Sequence, residues 1–330
     1  MAGDLDWILK AAIATQDTAH RSFVRGKPEL RPKDDGLTLA VLGCGTMGTA
    51  VLGGILDSLQ ATESIGTNVS EKMPLRLPTR FNACVKSARG ASRVHSELDK
   101  YNANLQVFEN DNLTAIQDAD VILLACEPHG IEDLFQAEGM NKALAGKLLI
   151  SILAGVSQQR LHDILARHDC QCTIVRAMPN TAAAVRESMT VIASQSPLLP
   201  EETTELVDWI FTRIGKIVHL PESKMDAGTA LCGAGPAFCA LFVESLAAGA
   251  IRMGLPWEEA YTMAAQVMKG TSGLLQKGEH PALLREKVCT PGGGTIAGLQ
   301  VLEEGAIRGT ISKAIGETAR VAGHLGQTEK

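Results

Sequence analysis

Aromatic side chains are scarce in this sequence, with three Trp, two Tyr and seven Phe among 330 residues. Its core must therefore be aliphatic and alanine-rich, which suits closely packed helices. There is no block of basic residues, and no basic stretch has aromatics interleaved. With a formal net charge of −6, no nucleic-acid partner is expected. Mild acidity still leaves room for an anionic ligand held by a local site. None of the eight cysteines forms a CxxC pair, and Cys170-Gln-Cys172 has no second pair or histidine at ligand spacing. They read as reduced small hydrophobes, and no metal is expected. No apolar stretch approaches the roughly 20 residues needed to cross a bilayer, so no membrane partner is expected. The N-terminal MAGDLDWILK carries Asp4 and Asp6 and lacks the core of a secretory signal. A cytoplasmic setting is the resulting expectation.

What is present falls into three stretches. Residues 1–36 read as an extension, a short helical pattern (Leu5, Ile8, Leu9, Ala12) followed by the charged linker RGKPELRPKDDG. From 37 to 220, apolar strand patterns alternate with helical spacers. The predicted strands are LTLAVL, SIGTNVS, LQVFE, DADVILLA, KLLISIL, CTIVRAM and MTVIAS. Strands apolar on both faces indicate a parallel sheet covered on both sides. Residues 71–104 read as an insertion carrying Lys72, Arg76, Arg80, Lys86, Arg89 and Arg93. From 221 to 330 the chain is rich in Ala, Leu and Met at helical spacing, which predicts an all-α domain whose small-residue faces suit subunit contact.

LGCGTMG supplies Gly43-x-Gly45-x-x-Gly48 between a strand and a helix, the context that makes this spacing a dinucleotide signal. Gly43 permits the turn, Gly45 lets a pyrophosphate approach, and Gly48 brings the helix close to the strand. The helix N-terminus, with Thr46 and Met47 in its first turn, then faces the phosphates. An acidic residue at the end of the second strand would select NAD. Counting about 20 residues on from the glycines reaches Ser70, neutral and able to donate, which with the basic residues after it favours NADP(H). Cys126, Glu127 and Pro128 follow the fourth predicted strand, Ala154-Gly155 the fifth, and Met178-Pro179-Asn180-Thr181 the sixth. All belong to the sheet edge where such folds bind ligands. His280-Pro281 reads as a helix start and not as a catalytic pair.

The motifs GCGTMG, DADVILLACEP, AG after ISIL, RAMPNT, GAGPAF and VCTPGGGTIAGLQVLEEG jointly resemble the pyrroline-5-carboxylate reductase family, in order, from Leu37 to about Arg320. The resemblance implies a Rossmann-type dinucleotide-binding domain followed by a helical domain that dimerises, with higher oligomers in some members. It implies NADPH, with NADH as the alternative, reducing 1-pyrroline-5-carboxylate to L-proline. By resemblance Asn112 joins the coenzyme residues, Thr295 sits at the ring nitrogen, and Thr290, Gly293 and Gly294 take the carboxylate. Three departures stand out. Glu127 replaces the usual Lys, residues 1–36 and the 71–105 stretch have no counterpart in compact bacterial members, and Ala182 follows RAMPNT where Pro is common.

The chemistry fits these residue types. A protonated imine is already a good electrophile, so the protein chiefly orients the two partners in a dry pocket. In PGGGT, bare backbone N–H groups can converge on a carboxylate at a helix N-terminus. Read without the family, Thr295 serves equally as a plain N-cap. Two alternatives stay open, a coenzyme-binding sensor or scaffold without turnover and a β-hydroxy acid dehydrogenase. The second needs a side chain that takes an alcohol proton, and these motifs have none.

Overall fold

A computed structural model describes residues 36–65, 73–195 and 197–325. The apolar run after Gly36 forms β1 (Leu37–Leu42), all six residues buried, and α1 (Thr46–Ile65) follows. Next come β2 (Pro78–Val85), α2 (Ala88–Leu98), β3 (Leu105–Glu109), α3 (Asn112–Gln117) and β4 (Val121–Leu124). Then follow α4 (Ile131–Gln136), α5 (Met140–Leu144), β5 (Leu148–Ser151), α6 (Gln158–Arg167) and β6 (Thr173–Met178). The sheet is completed by β7 (Ser188–Ser194), α7 (Glu201–Thr212) and β8 (Gly215–Pro221).

These strands form one sheet in the order β3-β2-β1-β4-β5-β6-β7-β8. From β3 to β6 all neighbours are parallel; β7 is antiparallel to β6, and β8 is parallel to β7. The all-parallel expectation thus fails at the last two strands. Alternation in β1 shows how both faces are used. Leu39 and Val41 pack with Val51, Leu52 and Ile55 of α1, while Ala40 and Leu42 pack with Ile116, Ile131 and Phe135 on the other face. The strand order reverses on either side of β1, which makes the C-terminal ends of β1 and β4 the natural ligand crevice.

Two sequence expectations need correction here. Ser64 and Ile65, read as the start of a second strand, are the end of α1; Ser70 lies outside the described residues. The strand beside β1 is β2, so the stretch read as an insertion supplies the second strand and helix of the sheet. Its polar residues hid it. Arg80 Nε donates to Thr38 Oγ1 at 2.9 Å and Asn82 Nδ2 donates to the Ala115 carbonyl at 2.7 Å, so neither is free to read as apolar. The predicted extension falls almost wholly outside the described residues.

The chain divides into two compact units. The first holds the sheet, runs to Thr229 and takes in the end of the last helix from Ala322; the second is Ala230–Val321. After β8 the chain forms α8 (Met225–Gly228), a π-helical turn at Thr229–Gly233, α9 (Gly235–Arg252) and α10 (Trp257–Gln276). Helices α11 (Pro281–Val288), α12 (Gly294–Glu304) and α13 (Ile307–Leu325) end the chain described. Ala247, Ala260 and Ala264 are the buried small residues through which α9 and α10 pack. One helical run, Glu222–Arg252, is long and apolar enough by length and composition to cross a membrane. No unbroken apolar stretch of that length is present, but Ala, Leu and Phe outweigh the few charges in this run. Large apolar side chains remain exposed in this second unit, including Leu241, Leu246, Trp257, Met263, Val267 and Val301.

Candidate functional site

In the first unit the site is built around the turn that ends β1. Two backbone bonds fix this turn between neighbours: Cys44 N–H donates to the Cys84 carbonyl at 2.7 Å, and Ala125 N–H to that of Leu42 at 2.8 Å. Gly43 has φ +78, and a Cβ there would lie 2.4 Å from Cys126 Cα. A Cβ on Gly48 would lie 2.8 Å from Val41 Cγ1, so this glycine seats α1 on β1. Gly45 differs. The nearest atom to a Cβ there is the Gly43 carbonyl oxygen at 3.8 Å, which leaves the space above the loop open. The first N–H groups of α1 lack partners within the helix, and Thr46 and Met47 stand in that turn.

Two cavities flank Gly43. One of about 430 Å3 is lined by Gly43, Lys86, Asn112, Cys126 and Glu127 among others. The second, about 650 Å3, takes in Gly43 and Gly45 together with Lys86, Ser87, Arg89 and Arg93. The structure therefore sets Gly43, Cys126 and Glu127 on both cavities, with Asn112 lining the first and Gly45 the second. Cys84 donates its thiol to Asn112 Oδ1 at 2.9 Å, fixing that side chain at the start of α3. Burial pushes the thiols up in pKa, Cys44 and Cys84 to about 11 and Cys126 in the same direction. Pro128 opens a short 3-10 turn.

Ala154, Gly155 and Asn180 lie in loops after β5 and β6 and do not line either cavity. Asn180 Oδ1 accepts from Ala182 N–H at 3.1 Å, capping the turn Thr181–Val185.

What the sequence reading missed is where the second strand ends. Val85 is followed by Lys86 and Ser87, and Ser87 caps α2 through Gly90 N–H. The basic residues were visible in the sequence, but only the strand β2 assigns them to the crevice. The signal that would have found it is the short run Phe81–Val85 before KSARG. Arg93 reaches under the glycine loop, where Nη2 donates to the Cys44 carbonyl at 3.0 Å. Its Nε is buried without a partner. A buried, unsatisfied guanidinium N–H beside an open glycine loop fits an anionic ligand.

In the second unit, Thr290-Pro291-Gly292-Gly293 forms a turn closed by Gly293 N–H donating to the Thr290 carbonyl at 2.9 Å. Gly292 has φ +69 after proline, as a type II turn demands. A Cβ on Gly293 would collide with Thr290 Oγ1 at 2.2 Å, so this glycine makes room for the threonine hydroxyl. Gly293 is the N-cap of α12, and Gly294 and Thr295 form its first turn. Thr295 is thus inside the helix and not its cap, and both threonines are exposed. His280 caps α11 by accepting Ala282 N–H on Nδ1 at 3.2 Å, with Pro281 next, a helix start.

A family model described as pyrroline-5-carboxylate reductase dimerisation matches residues 222–325, and one described as NADP oxidoreductase, coenzyme F420-dependent, matches 38–155. The chain is 52% identical over 300 residues to a pyrroline-5-carboxylate reductase of Lophium arboricola, covering 88% of this chain and 94% of that one. The chain belongs to the pyrroline-5-carboxylate reductase family. A Neurospora crassa reductase of the same name is 46% identical over 322 residues, covering 91% and 96%. Among solved structures, the Coxiella burnetii pyrroline-5-carboxylate reductase matches with TM-score 0.73 at 25% identity, over 89% of this chain and all of that one. The Plasmodium falciparum pyrroline carboxylate reductase, solved with NADP bound, matches with TM-score 0.70 at 25% identity, over 88% and 99%. The second unit and the elements leading into it thus carry the reductase family's dimerisation domain.

Proposed function

We propose that this NAD(P)H-dependent oxidoreductase takes its hydride from NADPH in preference to NADH. It adds the hydride to the C=N bond of 1-pyrroline-5-carboxylate, giving L-proline. The carrying observation is the crevice that the open Gly45 shares with Lys86, Ser87, Arg89 and Arg93. The backbone of Gly43–Gly48 would hold the pyrophosphate, and the residues after β2 a 2′-phosphate. Asn112 and Cys126 would line the adenosine side. Reduced nicotinamide, when bound, supplies the hydride.

The chain's own part in the chemistry lies in binding and orientation. The first-turn N–H groups of α12, at Gly294 and Thr295, together with the Thr290 hydroxyl, suit a carboxylate. The Thr295 hydroxyl is the group we place at the ring nitrogen. Between Cys289 and Gln300 there is no Lys, His, Asp or Glu. A substrate nitrogen that enters already protonated needs no acid from this segment, and the product C–H and N–H bonds then account for one hydride and one proton. This absence also disfavours a hydroxy-acid dehydrogenase, which needs a base for its alcohol. Ala154, Gly155 and Asn180 remain part of the proposed coenzyme surface as small or polar loop residues.

The exposed apolar side chains of α9 and α10 suit coverage by a second copy, making a homodimer or a higher homo-oligomer. All eight cysteines are free thiols, which suits a reducing, cytoplasmic compartment. The test is a steady-state assay of coenzyme oxidation with 1-pyrroline-5-carboxylate, NADPH and NADH in parallel. Turnover with a higher kcat/KM for NADPH is expected; binding of either coenzyme without turnover would favour the sensor reading and overturn this one.

A further inference from the structure

We propose that Glu127 competes with the coenzyme's 2′-phosphate for Lys86, and so limits how strongly this chain discriminates NADPH from NADH. The inference rests on the coenzyme reading above. Lys86 directly follows β2, Glu127 comes three residues after β4, and both line the cavity that includes Gly43. Lys86 Nζ lies 3.6 Å from Glu127 Oε2. The two side chains are 77% and 82% exposed, so water screens the pair and it exchanges readily. Among the described residues, Glu127 is the one acidic side chain lining the cavity that holds Lys86, Arg89 and Arg93.

These three cations are not equivalent. Arg93 is committed to the glycine loop through the Cys44 carbonyl, with its Nε turned inward. Lys86 is the cation that a carboxylate already occupies. A 2′-phosphate, carrying close to two negative charges, must either draw Lys86 away from Glu127 or sit beside both. Each case penalises the phosphorylated coenzyme alone. A coenzyme with a free 2′-hydroxyl meets no such repulsion, and a carboxylate can accept a hydrogen bond from it. One extra negative charge held well within a Debye length of a 2′-phosphate, in water and at moderate salt, would correspond to a roughly three- to tenfold weakening.

The test is direct binding to the full chain, with Kd for NADPH and NADH read from coenzyme fluorescence at low and high salt. Glu127→Gln should lower the NADPH Kd three- to tenfold at low salt, with a much smaller change for NADH, and the gain should shrink as salt is raised. Glu127→Lys should extend the shift in the same direction, and Lys86→Gln should raise the NADPH Kd. In the Lys86→Gln background, Glu127→Gln should gain less. An unchanged or higher NADPH Kd in Glu127→Gln overturns the inference. So does a ratio that moves only because NADH binds more weakly. If neither coenzyme binds the unaltered chain, the coenzyme reading falls and this inference with it. If both bind and their ratio is indifferent to residue 127, only this inference falls.

Discussion

Gly43, Gly45 and Gly48 should fail in three different ways when each is replaced by alanine. At Gly43 the backbone is left-handed, which costs a residue with a Cβ about 1–2 kcal/mol. The new methyl would also lie 2.4 Å from Cys126 Cα and 2.6 Å from its N, backbone atoms that cannot turn aside. Overpacking of this kind typically adds about 1–3 kcal/mol, so Gly43→Ala should cost the first unit about 2–5 kcal/mol. At Gly48 the obstacle is a side-chain methyl, Val41 Cγ1 at 2.8 Å, which can shift. The gain of about 1 kcal/mol in helix propensity offsets part of the strain, leaving a net loss near 1 kcal/mol. At Gly45 nothing is struck. Gly45→Ala should keep its unfolding midpoint within about 0.5 kcal/mol of the parent yet bind coenzyme at least tenfold more weakly, about 1.4 kcal/mol. Urea unfolding without coenzyme and fluorescence titration with NADPH separate the two effects. The reasoning is refuted if Gly45→Ala unfolds as early as Gly43→Ala, or if it binds NADPH as tightly as the parent.

Other outcomes follow from the same structure. Thr295→Ala should lower kcat/KM about a hundredfold, the loss of a hydrogen bond to a charged group, while Thr295→Ser recovers most of it; equal loss in both would point to the methyl. Glu222→Ala should destabilise the first unit by about 2–3 kcal/mol. It strips the 2.7 Å partner from Arg176, whose side chain is only 5% exposed. An unchanged unfolding midpoint would rule out that pairing as structural. The thiol of Cys172 is pushed up to about 12 and those of Cys44 and Cys84 to about 11, each by burial. At pH 8 a thiol of pKa 11 is about one part in a thousand thiolate, so native thiol-reagent titration should leave these three unmodified. Because the folded values are raised, their contribution to stability is full below the unfolded value near 9. It declines as pH rises from there toward 11 and beyond, so unfolding midpoints should fall over that window.

Much of the chain was readable without coordinates, and the places where reading failed share a cause. β1, β4 and β5 are buried on both faces, so their residues had to be apolar and announced themselves. β2 carries Arg80 and Asn82 because its neighbours offer them the Thr38 hydroxyl and the Ala115 carbonyl. No local pattern encodes partners so far away in the chain, and counting from the glycines led instead to Ser70. β8 alternates between covered and exposed residues at the sheet's edge and resembles a loop in sequence. The antiparallel turn at β7 depends on pairing across the sheet, which local propensity does not carry.

The sequence by itself determined the glycine turn, the helix that follows it, and the proline–glycine turn before Thr295, because those conformations depend on which residues lack a Cβ or a free φ. The tertiary structure alone decided that Lys86, Arg93 and Glu127 meet at Gly43. They come from three elements, and only the parallel order β2-β1-β4 sets their ends side by side. The charge balance of that crevice is a property of the sheet, and no segment of the chain holds it alone.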